Sequence, residues 1–180
     1  MVSDYQAVTA MVANIIYVLA LRKLLHIFFD AKRSRSQEAA LYIVAHVILT
    51  GVYVMWNTPE ITIASNILVI FTLTCFYSDD VLQGLMATAF VYSMAFLCKM
   101  VMVELMDIMG VSRYDIFGDD EFILAQVAVQ LLVYCTAIWL SQRKNLSGEQ
   151  IVPINYSRAI FAIPMCSIYP MYILMKVKEL

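Results

Sequence analysis

Six predominantly apolar stretches, each close to the length of a membrane span, dominate the 180-residue sequence. A helix needs about 20 residues to cross the hydrocarbon core of a bilayer, and a chain in lipid must satisfy its backbone polar groups within the segment. The stretches are too long for ordinary strands, and they lack the alternating pattern of a membrane barrel. The sequence therefore predicts an all-α, polytopic transmembrane bundle. The predicted spans are about 5–29, 38–56, 61–77, 81–109, 122–140 and 156–175.

The composition supports lipid as the surrounding medium. Hydrophobic residues make up 62% of the chain, whereas about 45–50% is usual for a soluble domain. The 12 Lys and Arg residues nearly balance the 14 Asp and Glu residues, so no basic face for nucleic acid is expected. We expect one transmembrane domain over residues 1–180, with the bilayer as its first partner and no soluble catalytic domain.

Basic residues in short loops predict the orientation, because such loops stay in the cytoplasm. The densest cluster lies at the end of the first span and in the loop after it, and a second pair follows the fifth span, so both loops are assigned to the cytoplasm. This assignment places the N-terminus, and the acidic loop between the fourth and fifth spans, on the outer side of the membrane. The basic residues used are Arg22, Lys23, Lys32, Arg33, Arg35, Arg143 and Lys144.

The same assignment leaves the basic tail, residues 176–180, outside. One explanation is that a seventh span follows in a longer protein and returns the chain to the cytoplasm. The other is that Pro164 and Pro170 break the sixth stretch, since each proline removes a helix hydrogen bond, and that the stretch turns back as a re-entrant segment. The sequence leaves both explanations open.

Polar residues inside apolar spans are candidates for function, because they are costly in lipid. The alternative is that they form hydrogen bonds between helices. For His26 an interfacial position is expected, and for the lone His46 a packing role is favoured over a metal site. The polar span residues are Asn14, His46, Asn66, Lys99, Glu104, Gln126 and Gln130.

Lys99 lies about 27 Å along a helix from Val81, which places it near the outer boundary of the fourth span. Its side chain could simply extend to the interface. The functional alternative is a pocket on the outer side of the membrane, in which Lys99, neighbouring acidic residues and the acidic loop bind a ligand from outside. The residues assigned to this pocket are Lys99, Glu104, Asp107, Asp115, Asp119, Asp120 and Glu121.

The cysteines are dispersed through apolar runs, without the paired spacing of zinc sites or disulfide frameworks. We therefore expect no metal and no cofactor, and we interpret Cys75, Cys98, Cys135 and Cys166 as small buried hydrophobes. A membrane cysteine peptidase would need a histidine beside its cysteine. The sequence offers only a weak signal for such a pair, in His46 and Cys75.

Three stretches carry a resemblance to a known family: LLHIFFDAKR at 24–33, WNTPEITIASN at 56–66, and GEQIVP at 148–153 with FAIP at 161–164 and SIY at 167–169. In these stretches the chain resembles the N-terminal membrane sensor region of AgrC-like, peptide-sensing histidine kinases with a GHKL-type ATPase domain. The resemblance assigns Pro59 and Asn66 to the hairpin that leads into the third span.

The resemblance also implies a function. The chain would be the sensor module of a two-component system used in quorum sensing. It would bind an extracellular peptide, act as a homodimer, and signal through a cytoplasmic kinase region to a response regulator. The kinase region is not part of this sequence, so no enzymatic activity is expected of the chain as given. Two alternatives remain, a vitamin-type transporter subunit with six spans and its N-terminus inside, and the membrane cysteine peptidase.

Overall fold

The computed structural model describes residues 4–29, 34–56, 58–108 and 121–147, and these residues form five α-helices and no strand. All five are long and apolar enough to cross a membrane. This confirms the all-helical prediction for the first five stretches. The predicted sixth span, 156–175, lies outside the described residues, so the count of six stays a prediction. The helices are α1 Asp4–Phe28, α2 Arg35–Trp56, α3 Pro59–Tyr77, α4 Val81–Ile108 and α5 Glu121–Ser147.

Local chemistry fixes where α2, α3 and α4 begin. The Ser34 hydroxyl accepts a hydrogen bond from the Gln37 backbone N–H at 3.4 Å, and the Asp80 carboxylate accepts one from the Leu82 N–H at 2.9 Å. Short polar side chains of this kind satisfy backbone donors that a first turn leaves unpaired. Pro59 occupies the first turn of α3, where no backbone donor is needed.

Consecutive helices from α1 to α4 run antiparallel. Asn14 contacts Thr50 while Arg22 contacts Glu38, so the end of α1 lies beside the start of α2. The pairs Tyr42–Tyr77 and Thr74–Thr88 join α2 to α3 and α3 to α4 in the same way. The end of α1, the start of α2, the end of α3 and the start of α4 therefore meet at one end of the bundle, which we call the Glu38 end.

Helix α1 is the centre of the bundle. It packs against α2, α4 and α5, and its most extensive interface is with α5. Small residues allow this close approach between helices. The fully buried α1 residues are Ala10, Ala13, Ala20, Leu21, Leu24 and Leu25.

The outer surface of the bundle is apolar. Ile43, Val44 and Val47 on α2 are more than half exposed, and such a surface is compatible with contact with lipid tails. The prediction that the cysteines are buried holds for Cys98 and is wrong for Cys75 and Cys135, which are exposed. A cysteine in an apolar span can face either neighbouring helices or lipid, and span hydropathy does not distinguish the two faces. Cys166 lies outside the described residues.

Candidate functional site

A buried carboxylate organises the Glu38 end. Glu38 lies in the first turn of α2, and its side chain is only 7% exposed. Arg22 donates two hydrogen bonds to it, from Nε to Oε1 at 3.0 Å and from Nη2 to Oε2 at 3.2 Å. His26 Nε2 lies 2.7 Å from Oε1, and the Tyr77 hydroxyl donates to Oε1 at 2.9 Å. One carboxylate thus joins three helices.

Aromatic side chains enclose the cluster. The Tyr42 hydroxyl lies 3.1 Å from the Tyr77 hydroxyl. The Phe29 ring stacks on the Tyr77 ring with centroids 6.0 Å apart, and the His26 ring meets the same ring edge-on at 5.8 Å. We call Arg22, His26, Glu38, Tyr42 and Tyr77 the Glu38 cluster.

The hydrogen-bond donors around Glu38 explain why its carboxylate is tolerated in a buried position. A buried charge is stable only when it is paired and its lone pairs are used, and a bidentate guanidinium is the strongest such partner. The Arg22 side chain is 46% exposed, so it reaches from the bundle surface to the buried Glu38. The arrangement holds the ends of α1, α2 and α3 together, and separating any of them breaks a hydrogen bond to Glu38.

A second polar contact lies deeper between α1 and α2. The Asn14 amide donates to the Thr50 hydroxyl at 3.1 Å, which confirms helix–helix hydrogen bonding for this predicted polar residue. Two buried side-chain atoms in the described part of the chain have no hydrogen-bond partner, namely His46 Nδ1 and Gln130 Oε1. Among the same residues, no group of three or more His, Cys, Asp or Glu side chains is arranged to hold a metal ion.

The structure places two of the predicted ligand residues. Lys99 and Glu104 are both exposed on α4. They are five positions apart in the sequence, so they lie about 140° apart around the helix axis and do not share a face. Both are in the half of α4 remote from the Glu38 end. The side chains of Asp107 and Glu121, and the whole of Asp115, Asp119 and Asp120, lie outside what the structure describes, so the outer pocket stays a prediction.

The hairpin residues have distinct positions. Pro59 is the first residue of α3. Asn66 lies two turns further along, and its amide donates to the Thr62 carbonyl of the same helix at 2.8 Å. Pro59 thus starts the helix, while Asn66 satisfies its own amide within α3.

The Glu38 cluster was not among the sequence-predicted site residues. From the sequence, Arg22 indicates only the orientation of the chain, and His26 is expected at the membrane interface. One signal was available: Arg22 and His26 are four residues apart, hence on one face of a helix, and Glu38 is the first acid of the next span. Pairing these residues still requires the packing of three helices, which one sequence does not provide.

Comparisons of the chain with protein-family models, with curated protein sequences and with solved structures give no match. The fold and the site define a helical bundle suited to a membrane, with a buried ionic cluster at one end. The likeness to AgrC-like sensor regions rests on the three sequence stretches alone.

Proposed function

We propose that the chain is the transmembrane sensor module of an AgrC-like bacterial histidine kinase. In this proposal it lies in the plasma membrane as a homodimer, binds an extracellular peptide, and relays binding to a cytoplasmic kinase region outside this chain. That region would then phosphorylate a response regulator. The observation that carries the proposal is the Glu38 cluster, in which one carboxylate joins the ends of three helices.

A sensor needs two arrangements of its helices that bind the signal with different affinity. A buried ionic cluster supplies discrete arrangements, because a partly separated pair leaves a charge without its partner and is unstable. A packed helical interface likewise changes between distinct states rather than deforming continuously. A small displacement of α1 against α2 and α3 would therefore either preserve the Glu38 contacts or exchange them.

The position of the cluster supports the same function. The exposed Lys23 and Arg35 lie at the Glu38 end, and positive residues favour the cytoplasmic side. A kinase region would be attached on that side. Lys99 and Glu104 lie toward the opposite end of α4, where an extracellular signal would arrive. The stretch 24–33, which carries part of the family resemblance, also supplies His26 and Phe29 to the cluster and its aromatic cover.

The test is a dose–response measurement on the full-length kinase, with a reporter gene as output and medium conditioned by the source bacterium as the signal. The variants Lys99→Glu and Glu104→Lys should raise the half-maximal dose by about tenfold or more, equivalent to about 1.4 kcal/mol of binding energy. Glu60→Lys is the matched control, since Glu60 is exposed at the start of α3 at the same end of the bundle.

Unchanged dose–response in Lys99→Glu and Glu104→Lys would remove both residues from the ligand site. A full-length gene product without a kinase region, or a reporter that ignores conditioned medium, would overturn the sensor function itself. Glu38→Gln adds a second readout: it should change the basal output, because it alters the cluster and leaves the outer end of the bundle untouched.

A further inference from the structure

Polar residues on both faces of the α1–α2 interface are spaced four residues apart, or eight in the case of Asn14 and Arg22. Asn14, Arg22 and His26 belong to one row on α1, and Glu38, Tyr42, His46 and Thr50 form a row on α2. Positions four apart make a continuous ridge along a helix. The two rows touch at Asn14–Thr50 and at Arg22 and His26 with Glu38. We call these facing rows the α1–α2 seam.

His46 is the unsatisfied position of the seam. It lies one turn from Thr50 toward the Glu38 end, between the two places where the rows touch. Its Nδ1 is buried and has no hydrogen-bond partner among the described residues. Leaving a buried polar atom unpaired is unfavourable, which favours a second state of the interface in which His46 Nδ1 has a hydrogen-bond partner.

The antiparallel geometry identifies that state. If α1 slides by one turn toward the Glu38 end, the Asn14 amide leaves Thr50 and comes opposite His46. Arg22 stays beside Glu38, because Glu38 already contacts two successive turns of α1, at Arg22 and at His26. Only His26 loses its contact with the carboxylate. The slide therefore exchanges hydrogen bonds without leaving the Glu38 charge unpaired.

We propose that α1 and α2 occupy two registers one helical turn apart, with Asn14 bonded to Thr50 in one register and to His46 in the other. One-turn shifts of this kind, about 5.4 Å, are an established form of switching between packed elements. The register is a property of the α1–α2 interface. Its use as the signal-carrying motion rests on the proposed sensor function, and the two parts are tested separately.

The register is measured by spin labels that leave the seam intact. Val8 on α1 and Val44 on α2 are both more than half exposed, and they are replaced by labelled cysteines in a chain without its four native cysteines. The 180-residue chain is placed in phosphatidylcholine–phosphatidylglycerol nanodiscs. The shifted register brings Val8 and Val44 nearer along the helix axes, so a second distance population shorter by about 3–5 Å is expected.

Two seam variants should move the populations in opposite directions. Thr50→Val removes the present partner of Asn14 and should enlarge the shorter-distance population at least threefold. His46→Leu removes the alternative partner and should eliminate that population. Thr72→Val is the matched control, because the Thr72 hydroxyl donates to the Leu68 carbonyl of its own helix on the exposed side of α3, and it should change neither population.

A single distance that Thr50→Val does not alter would overturn the two-register proposal, and so would a second population that survives His46→Leu. In the full-length kinase, Thr50→Val and His46→Leu should shift basal output in opposite directions. Equal output from both variants, with the distance populations changed, would remove the register from signalling. That result would not affect the sensor function, which the Lys99 and Glu104 dose–response tests independently.

Discussion

Arg22 and Glu38, sixteen residues apart in the sequence, are joined by two hydrogen bonds of 3.0 and 3.2 Å across the α1–α2 interface. The guanidinium comes from a half-exposed side chain, and the carboxylate is almost fully buried. Arg22 therefore connects the surface of the bundle to its interior. The pair fixes the end of α1 against the start of α2, and the Tyr77 hydroxyl extends the connection to α3.

Glu38→Gln should destabilise the bundle. The glutamine amide keeps the size of the carboxylate, but it presents a donor where Glu38 accepts, and it removes the charge that Arg22 pairs with. We expect a loss of roughly 2 kcal/mol in the free energy of unfolding, less than for a fully buried pair because exposed Arg22 keeps access to solvent or lipid headgroups. Thermal unfolding in a fixed detergent measures the change, with the exposed Glu60→Gln as control. Equal transition temperatures for the two variants would contradict the structural role of Glu38.

The losses of stability caused by Tyr77→Phe and Tyr42→Phe should not be additive. The Tyr77 hydroxyl contacts both Glu38 and the Tyr42 hydroxyl, so Tyr77→Phe removes two contacts and Tyr42→Phe removes one of the same two. Each lost hydrogen bond is worth about 1 kcal/mol. The double variant should be no less stable than Tyr77→Phe alone, which a double-mutant cycle of unfolding free energies detects. Additive losses would mean that the two hydroxyls act independently.

The helices of this chain were predictable because one property, the length of each apolar run, determines them. The first five predicted spans differ from the observed helices by a few residues at their ends, except that α5 continues to Ser147, seven residues beyond the predicted end. The span was predicted to end at Leu140 because polar residues follow it. A helix can continue past the hydrocarbon, however, as long as its backbone hydrogen bonds are satisfied.

The length of the apolar runs does not predict the Glu38 cluster. Its contacts join residues 12, 16 and 39 positions apart, and which residues meet depends on the rotation and register of each helix. Hydropathy is nearly uniform around α1 and α3, so it does not define a buried face on either helix. Asn14 is an example. Its polarity predicts an interhelical hydrogen bond, but only the packing of α1 against α2 identifies Thr50 as its partner.

Gly84→Leu should disrupt the α3–α4 crossing. A Cβ atom at position 84 would lie 3.1 Å from the Thr74 Oγ1 atom, and the same hydroxyl lies 3.3 Å from the Thr88 hydroxyl across the interface. A leucine there must push the helices apart, at a cost of about 1–3 kcal/mol for overpacking.

Gly51→Leu is the matched control, because nothing lies within 4 Å of a Cβ at position 51 of α2. Leucine also has a better helix propensity than glycine by up to about 1 kcal/mol. Thermal unfolding in detergent should therefore show a lower transition temperature for Gly84→Leu and an equal or higher one for Gly51→Leu. A decrease of the same size in both variants would mean that the glycines do not differ in packing.

The two tryptophans test whether lipid surrounds the bundle. Trp56 ends α2, Trp139 lies near the end of the apolar part of α5, and both side chains are about half exposed. Tryptophan at span ends typically lies at the level of the lipid headgroups. In vesicles of brominated phosphatidylcholine, bromines near the top of the acyl chain should therefore quench both fluorophores more than bromines near the bilayer centre. Trp56→Phe and Trp139→Phe separate the two signals, since each leaves one tryptophan. Fluorescence that no brominated lipid quenches, from a chain that stays monomeric without detergent, would show that these apolar helices do not lie in a membrane.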